Sequence, residues 1–338
     1  GTIKLPPMIN AILLFGGRSA EHEVSILSAR SVAHAAPQDR IAFTPVCIAR
    51  DGRFVTPERS ARVLAGEKKA SVGDLDFSFE GWVRKAAIDI VFPLIHGTGG
   101  EDGSLQGYLE MLGLPYVGSG VTASAVGMDK VHMKQAFGAA KLPMVDYVPV
   151  LEHEWRHERE RVTRAVANAL RLPYFVKPAN SGSSVGVKKV KNDAGLADAM
   201  EHAFRFDEKV LVERGVDARE LEVAVLGNEK PEASVPGEIV AGGEFYDYAD
   251  KYVDTKSQLV IPAKLPADRS NELLRMAIAA FKAIGASGYS RVDFFLERGT
   301  NRLYVNEINT IPGFTSISMY PKLWETTEVK YPRLIERL

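Results

Sequence analysis

Ser290-Arg291-Val292-Asp293 and, after a short turn, Tyr304-Val305-Asn306-Glu307-Ile308-Asn309 read as two β-strands near the end of the chain. Successive side chains of a strand point to opposite faces, so Arg291 shares a face with Asp293, and Glu307 shares one with Asn309. Two carboxylates, an amide oxygen and a guanidinium can then converge. Hard oxygen ligands of this kind suit Mg²⁺, which takes carboxylates from protein and fills its other positions with water and phosphate oxygens. A Mg·ATP site is one reading. A surface ion pair beside a solvated glutamate is the other, and the rest of the chain has to decide between them.

The 338 residues, 46% hydrophobic and 25% charged, suit a globular chain with room for two or three domains. With 42 Lys and Arg against 43 Asp and Glu, no global field draws nucleic acid or an anionic membrane. Any polyanion must be gripped locally. Cys47 is the single cysteine and lies in the apolar run from Phe43 to Ala49, which excludes an internal disulfide and favours a buried, inert thiol in a reducing cytoplasm. No apolar run nears the ~20 residues of a membrane span, and no signal peptide is expected. Met8 reads as a start, so Gly1 to Pro7 are set aside from the fold.

Outward from the opening strands, the first half alternates strand-like runs (Asn10 to Phe15, Ala42 to Ala49, Ile88 to Ile95) with helical ones (Glu21 to Ala36, Ser104 to Leu112). That alternation predicts a mostly parallel sheet covered on both faces. Asp51-Gly52 predicts a hairpin turn, and Glu58 to Gly81 a partly exposed excursion. A helix is expected from Asp129 to Ala140. Strands at Tyr174 to Pro178, Val185 to Val190 and Val210 to Glu213, with a helix over Ala194 to Phe206, predict a compact α+β unit. Beyond Gly215 the pattern turns strand-rich, with Glu220 to Leu226, Ala233 to Val240 and Gln258 to Pro262, then a helix from Arg269 to Ile284.

Several loops carry chemistry. Asn180 to Gly186 joins two strands with small residues whose backbone N–H groups and hydroxyls could cradle an anion, though alone it reads first as a flexible polar hairpin. It is not a Walker loop, because no Gly-Lys-Ser/Thr follows. Lys177, ending the preceding strand, adds a cation that can neutralise a phosphate. Lys130 adds a second at a helix start, where a lysine gains nothing from the helix dipole. Gly16-Gly17-Arg18-Ser19-Ala20-Glu21 opens a helix without G-x-G-x-x-G, which speaks against a dinucleotide dehydrogenase; Glu21 there repels a pyrophosphate and attracts an ammonium group, or simply stabilises the helix. His96 to Gly103 follows a strand at the sheet edge where α/β proteins bind ligands, with no metal-ligand spacing around His96.

In order, these motifs resemble one family, the D-alanine–D-alanine ligases of the ATP-grasp superfamily. The resemblance spans nearly the whole chain from Met8: Gly16 to Ser25, His96-Gly97 with Gly99 to Gly103, Gly118-Ser119-Gly120, Met128-Asp129-Lys130, Lys177-Pro178, Gly182 to Gly186, Tyr246-Asp247-Tyr248 with Lys251-Tyr252, and Asn306 to Thr310 leading to Pro312 to Thr315. It implies an α/β ATP-grasp fold of three domains. These are an N-terminal Rossmann-like parallel α/β domain over 8–125, a central α+β domain over 126–215, and a C-terminal α+β domain over 216–338 whose lid lies at about 242–258.

The resemblance also implies the reaction, ATP-dependent ligation of two D-alanines for peptidoglycan precursors, through D-alanyl phosphate and a tetrahedral intermediate. Asp293, Glu307 and Asn309 would hold two Mg²⁺ ions, for which Mn²⁺ could substitute, with Glu307 bridging. Lys130 and Lys177 would neutralise the inner phosphates, while Gly182, Ser183, Ser184, Val185, Gly186 and Lys251 would close over the outer one. Glu213 and the adjacent backbone would hold the adenine, and Glu220 the ribose. Glu21 would bind the first ammonium and link through Ser183 to Tyr252. Ser318 would take the second carboxylate, Arg291 and the Gly313 amide the oxyanion, and His96 would lie beside the substrates. The lid is expected to be mobile without nucleotide. Lys251 and Tyr252 favour D-alanine as second substrate over D-lactate, while Met319 leaves D-serine open as the alternative. A homodimer in the cytoplasm is expected; a need for a monovalent cation stays open. The competing readings are another ATP-grasp carboxylate–amine ligase and a non-enzymatic nucleotide-binding protein.

Overall fold

Ala11 to Phe15 is apolar at every position because it is buried on both faces, as parallel strands flanked by helices are. It belongs to β1 (Ile9–Gly16), at the centre of a parallel sheet between β2 (Ile41–Ile48) and β3 (Ile90–Pro93). Helix α1 (His22–Ala35) follows β1 directly. The computed structural model describes residues 8–240 and 258–338. The lid expected over 242–258, with Tyr246, Tyr248, Lys251 and Tyr252, lies outside the described residues but for Gln258. Among the described residues no helix is long and apolar enough to cross a membrane.

The stretch 58–81 is partly exposed, as expected, with Val72 and Leu75 open to solvent, while two short helices at its ends pack onto the first sheet. Pro57 starts α2 (Pro57–Leu64) with a preset φ, and Ser60 and Val63, one turn apart, face inward. The Ser60 hydroxyl accepts from Cys47 N–H at 2.8 Å and donates to the Val55 carbonyl at 3.1 Å, and Phe79 of α3 (Phe79–Val83) stacks on Phe54 at 4.4 Å. Cys47 is buried as expected, and burial pushes its thiol up to about 12, with the charge of Glu23 adding to the effect.

After α4 (Ser104–Met111), the small-residue stretch forms α5 (Val121–Met128), and Asp129 separates it from α6 (Lys130–Ala139). The Asp129 carboxylate accepts from Val131 and His132 N–H, capping the second helix instead of continuing the first. A four-stranded antiparallel sheet follows, ordered β4 (Tyr147–Leu151), β7 (Lys209–Arg214), β5 (Tyr174–Pro178), β6 (Lys188–Val190). Helices α7 (Glu152–His157), α8 (Arg159–Ala169) and α9 (Leu196–Ala203) contribute to its core around Trp155, Val166 and Met200. The strand expected from Val185 is only three residues long, because Ser183, Ser184 and Gly186 have left-handed backbone at φ 49°, 60° and 77°.

The last sheet runs β11 (Gln258–Val260), β10 (Gly237–Val240), β8 (Ala218–Leu226), β12 (Tyr289–Glu297), β13 (Leu303–Asn309), with β9 (Glu232–Ala233) also on β8. One face carries Leu221, Val223, Val292 and Ile308, which pack against Leu273, Ala277 and Phe281 of α10 (Ala267–Ala283). The other face is divided along its length. Ala224, Leu226 and Tyr289 join an apolar cluster with the first sheet and with α11 (Met319–Thr326) and α12 (Tyr331–Arg337). Glu220, Glu222, Arg291 and Asp293, two or four residues further along on the same face, open onto a cavity.

Candidate active site

The two opening strands pair as neighbours in one antiparallel sheet. Asp293 lies opposite Glu307, and Arg291 opposite Asn309, while a bulge after Asp293 takes up Asn306. On the other side of β12, Glu222 is opposite Asp293 and Glu220 opposite Phe295. The Arg291 guanidinium donates to both Asp293 oxygens at 2.7 Å, and its Nε lies 3.0 Å from Glu222 Oε2. Asn309 Nδ2 donates to Asp293 Oδ2 at 3.2 Å. Among the described residues no three His, Cys, Asp or Glu side chains stand as a ready metal cage. The donor set of Asp293, Glu307 and the Asn309 amide nonetheless fits a hard divalent cation in its chemistry and its shared face.

These residues line a cavity of about 590 Å³ walled by the second and last sheets and by the segments that follow β1 and β3. Of the expected site residues, Glu21, His96, Lys130, Lys177, Gly182, Ser183, Ser184, Glu213, Glu220, Arg291, Asp293, Glu307, Asn309, Gly313, Ser318 and Met319 line it. Val185 and Gly186 do not, and Lys251 and Tyr252 lie outside the described residues. From the first sheet comes Glu21, buried at the start of α1, with Ser19 bracing that turn: Ser19 Oγ donates to the His96 carbonyl at 2.7 Å. Ser183 Oγ donates to Glu21 Oε1 at 2.7 Å across 162 positions of sequence. Gly97 takes a left-handed φ of 75°, which favours glycine, and a Cβ there would also displace Glu21 Oε2, 2.8 Å away.

The cationic side is built on α6 and the central sheet. Lys130, the first residue of α6, donates to the Ser181 carbonyl at 2.6 Å, holding the glycine-rich loop. Lys177 Nζ contacts Glu213 Oε1 at 2.6 Å. Burial opposes the charge on Lys177, yet Glu213, then Glu307 and Glu220, outweigh it and raise its pKa above the ordinary lysine value. Burial likewise opposes the Glu213 carboxylate, but Lys134 and Lys177 hold it down to about 2.

Three residues of the site were not anticipated. Glu222 holds Arg291, and Lys134 holds Glu213. Glu101 accepts from Gly97 N–H at 2.6 Å and Ile311 N–H at 3.2 Å, and it lines the cavity. Desolvation first, then the negative Glu21, push its carboxyl up to about 8 against those amides and Arg291. Glu220-Leu221-Glu222 alternation on a strand was a readable signal for Glu222, since both acids must share a face.

His96 is placed by contacts on both ring nitrogens. Nδ1 lies 2.9 Å from the Ile311 carbonyl and so carries the proton, leaving Nε2 to accept from Ser28 Oγ at 3.0 Å. Ser28 in turn accepts from Phe314 N–H at 3.1 Å. Burial lowers the His96 pKa, against Glu21 and the Ile311 carbonyl. At the cavity floor, Ser318 Oγ accepts from Thr315 N–H at 2.9 Å and would lie 2.8 Å from a Cβ at Gly313, which keeps the Gly313 backbone bare.

A family model described as the D-ala D-ala ligase N-terminus matches residues 10–119, and one described as the D-ala D-ala ligase C-terminus matches residues 136–338. A D-alanine–D-alanine ligase of Chlorobium phaeobacteroides (strain BS1) is 44% identical over 355 residues, covering 98% of this chain and 97% of that protein. The structure of the D-alanine–D-alanine ligase from Coxiella burnetii aligns with a TM-score of 0.81 at 35% identity, over 97% of this chain and 93% of that one. The VanG D-Ala:D-Ser ligase from Enterococcus faecalis aligns at 0.85 with 31% identity, over 98% of each chain.

Proposed function

Because the chain belongs to the D-alanine–D-alanine ligase family, with its α/β ATP-grasp fold and its use of ATP and a divalent metal, we propose that it joins two D-alanines into D-alanyl-D-alanine, releasing ADP and phosphate. The observation that carries this reading is the Ser183–Glu21 hydrogen bond, made inside the cavity that also holds Lys130, Lys177, Asp293 and Glu307. It joins an ammonium-attracting carboxylate to the loop over the phosphates, as coupling ATP to an amino-acid carboxylate requires.

In this reading Asp293, Glu307 and Asn309 hold two Mg²⁺ ions, which supply charge neutralisation to the transferring phosphoryl group. Lys130 and Lys177 neutralise the inner phosphates. The Gly182–Gly186 loop and Lys251 cover the outer one, while the backbone beside Glu213 takes the adenine and Glu220 the ribose. Glu21 anchors the first ammonium, with Ser183 and Tyr252 extending that group toward the second substrate. Ser318 receives the second carboxylate. Arg291 and the Gly313 N–H stabilise the oxyanion that forms when the second amine attacks the acyl phosphate. Residues 8–125, 126–215 and 216–338 serve as the three domains, and the enzyme works as a cytoplasmic homodimer supplying peptidoglycan precursors.

D-Serine as second substrate is the less supported reading, since the curated relatives at 44–46% identity over nearly the whole chain are D-alanine–D-alanine ligases. The test is ADP and phosphate release with Mg·ATP and D-alanine, beside L-alanine, D-lactate and D-serine, with products identified by mass. D-alanine-dependent release of D-alanyl-D-alanine is expected. Release with another acceptor but not with D-alanine would transfer Glu21 and Ser183 to a different substrate.

A further inference from the structure

Lys134 lies one helical turn beyond Lys130 on α6, yet it does not reach the cavity. It is 2% exposed, its ammonium 5.2 Å from the centre of the Tyr147 ring and 2.7 Å from Glu213 Oε2. The contact is an ion pair and not a well-directed hydrogen bond. A buried ammonium is costly to desolvate, and replacing buried ion pairs by apolar groups of like volume is often neutral or stabilising. Stability alone is therefore a weak reason for a lysine here.

The geometry around Glu213 supplies a better one. Its two carboxylate oxygens are divided, Oε2 to Lys134 and Oε1 to Lys177, whose side chain reaches the cavity. With Lys177 as its only partner, Glu213 would form a neutral pair and cancel the charge that Lys177 offers to the cavity. With Lys134 also present, two ammonium groups face one carboxylate, and the trio keeps a net positive charge. We propose that Lys134 is a positioning residue for the nucleotide site: it neutralises Glu213 from inside the wall, so that Glu213 fixes the Lys177 ammonium in place without spending its charge. The proposal rests on the reading of this cavity as the ATP site.

Lys134→Met removes the inner charge at similar volume. It should weaken Mg·ADP binding, measured by calorimetry, by about tenfold, the order set by losing one charge–phosphate interaction of ~1.4 kcal/mol. The KM for ATP should rise in parallel while the KM for D-alanine stays within about twofold, a split that general loosening of the fold does not produce. Adding Glu213→Gln removes the carboxylate charge that Lys134 was neutralising and returns the net charge to that of the wild type, while the amide oxygen can still accept from Lys177 and the adjacent backbone, which takes the adenine in the proposed reading, is unchanged, so most of the lost affinity should recover. Should Lys134→Met not fold, the double variant carries the test, with near-wild-type Mg·ADP affinity supporting the proposal and lost affinity overturning it. Unchanged binding by Lys134→Met, or a double variant that binds no better than the single one, would overturn the proposal alone. Absence of Mg·ADP binding to the wild type would overturn the ATP-site reading and the proposal with it.

Discussion

Glu307 faces Asp293 across the β12–β13 pair, on the partly exposed face of that sheet, so a change there acts on chemistry more than on packing. Glu307→Gln keeps the volume and removes the charge. Stability should move by no more than about 0.5 kcal/mol, as for surface positions. Turnover should fall by about two orders of magnitude or more, the scale for losing a group that stabilises transition-state charge. Denaturant midpoint and ADP release on the same sample decide it, and near-normal turnover would remove the metal assignment. Ser183→Ala deletes the 2.7 Å bond to Glu21 and should raise the KM for the first D-alanine by about 10- to 100-fold, the span set by the ~1.5–3 kcal/mol of a hydrogen bond to a charged group. An unchanged KM would show that Glu21 is held by its helix alone. The positions of Glu21, Lys177, Arg291, Asp293 and Glu307 were readable because each sits on a strand end, a helix start or an alternating face. Glu101 and Lys134 were not, because their meaning lies in partners far away in sequence: Ile311 for one, Glu213 for the other.

At the scale of elements, strands and helices with strong apolar patterns were legible, and irregular backbone was not. Two serines at positive φ in the 183–186 loop carry no local sequence signal, and they shorten the strand expected there. The partly exposed stretch 58–81 also holds short helices that its sequence does not announce, because they find their apolar partners, such as Phe54, in the preceding hairpin. The segment from Pro312 to Ser318 gains its shape from Phe314, which is fully buried among Phe92, Tyr289, Tyr320 and Tyr331 with ring centroids 5.5–6.3 Å apart. Phe314→Ala should cost about 3–5 kcal/mol through the cavity it leaves. The loss should also raise the KM for the second substrate, because Gly313 and Ser318 flank the vacated ring. Equilibrium unfolding beside steady-state kinetics tests both, and a destabilised variant with unchanged KM would separate the hub from the site.

Across the whole molecule, the first and last sheets are joined at Ile311, whose N–H is held by Glu101 and whose carbonyl is held by His96. Both side chains come from the loop after β3, and their titrations carry opposite signs. Burial lowers the His96 pKa, so the folded state binds its proton less readily than the unfolded chain; that contribution is present above the ordinary value of 6.5 and is lost as pH falls below it. Glu101, raised from 4.5 to about 8, contributes stability that is full below 4.5 and is lost as pH rises through about 8. At about 1.4 kcal/mol per pH unit the second effect reaches a few kcal/mol. The two overlap between 4.5 and 6.5, where one grows as the other fades, so the wild-type curve alone does not separate them. Variants do. The melting-temperature advantage of wild type over Glu101→Gln should shrink as pH rises from 5 to 8.5, and its advantage over His96→Asn should shrink as pH falls from 7 to 5. A difference for Glu101→Gln that stays flat across that range would mean that Arg291 and the two amides outweigh burial and Glu21, leaving the carboxylate ionised wherever the protein is folded.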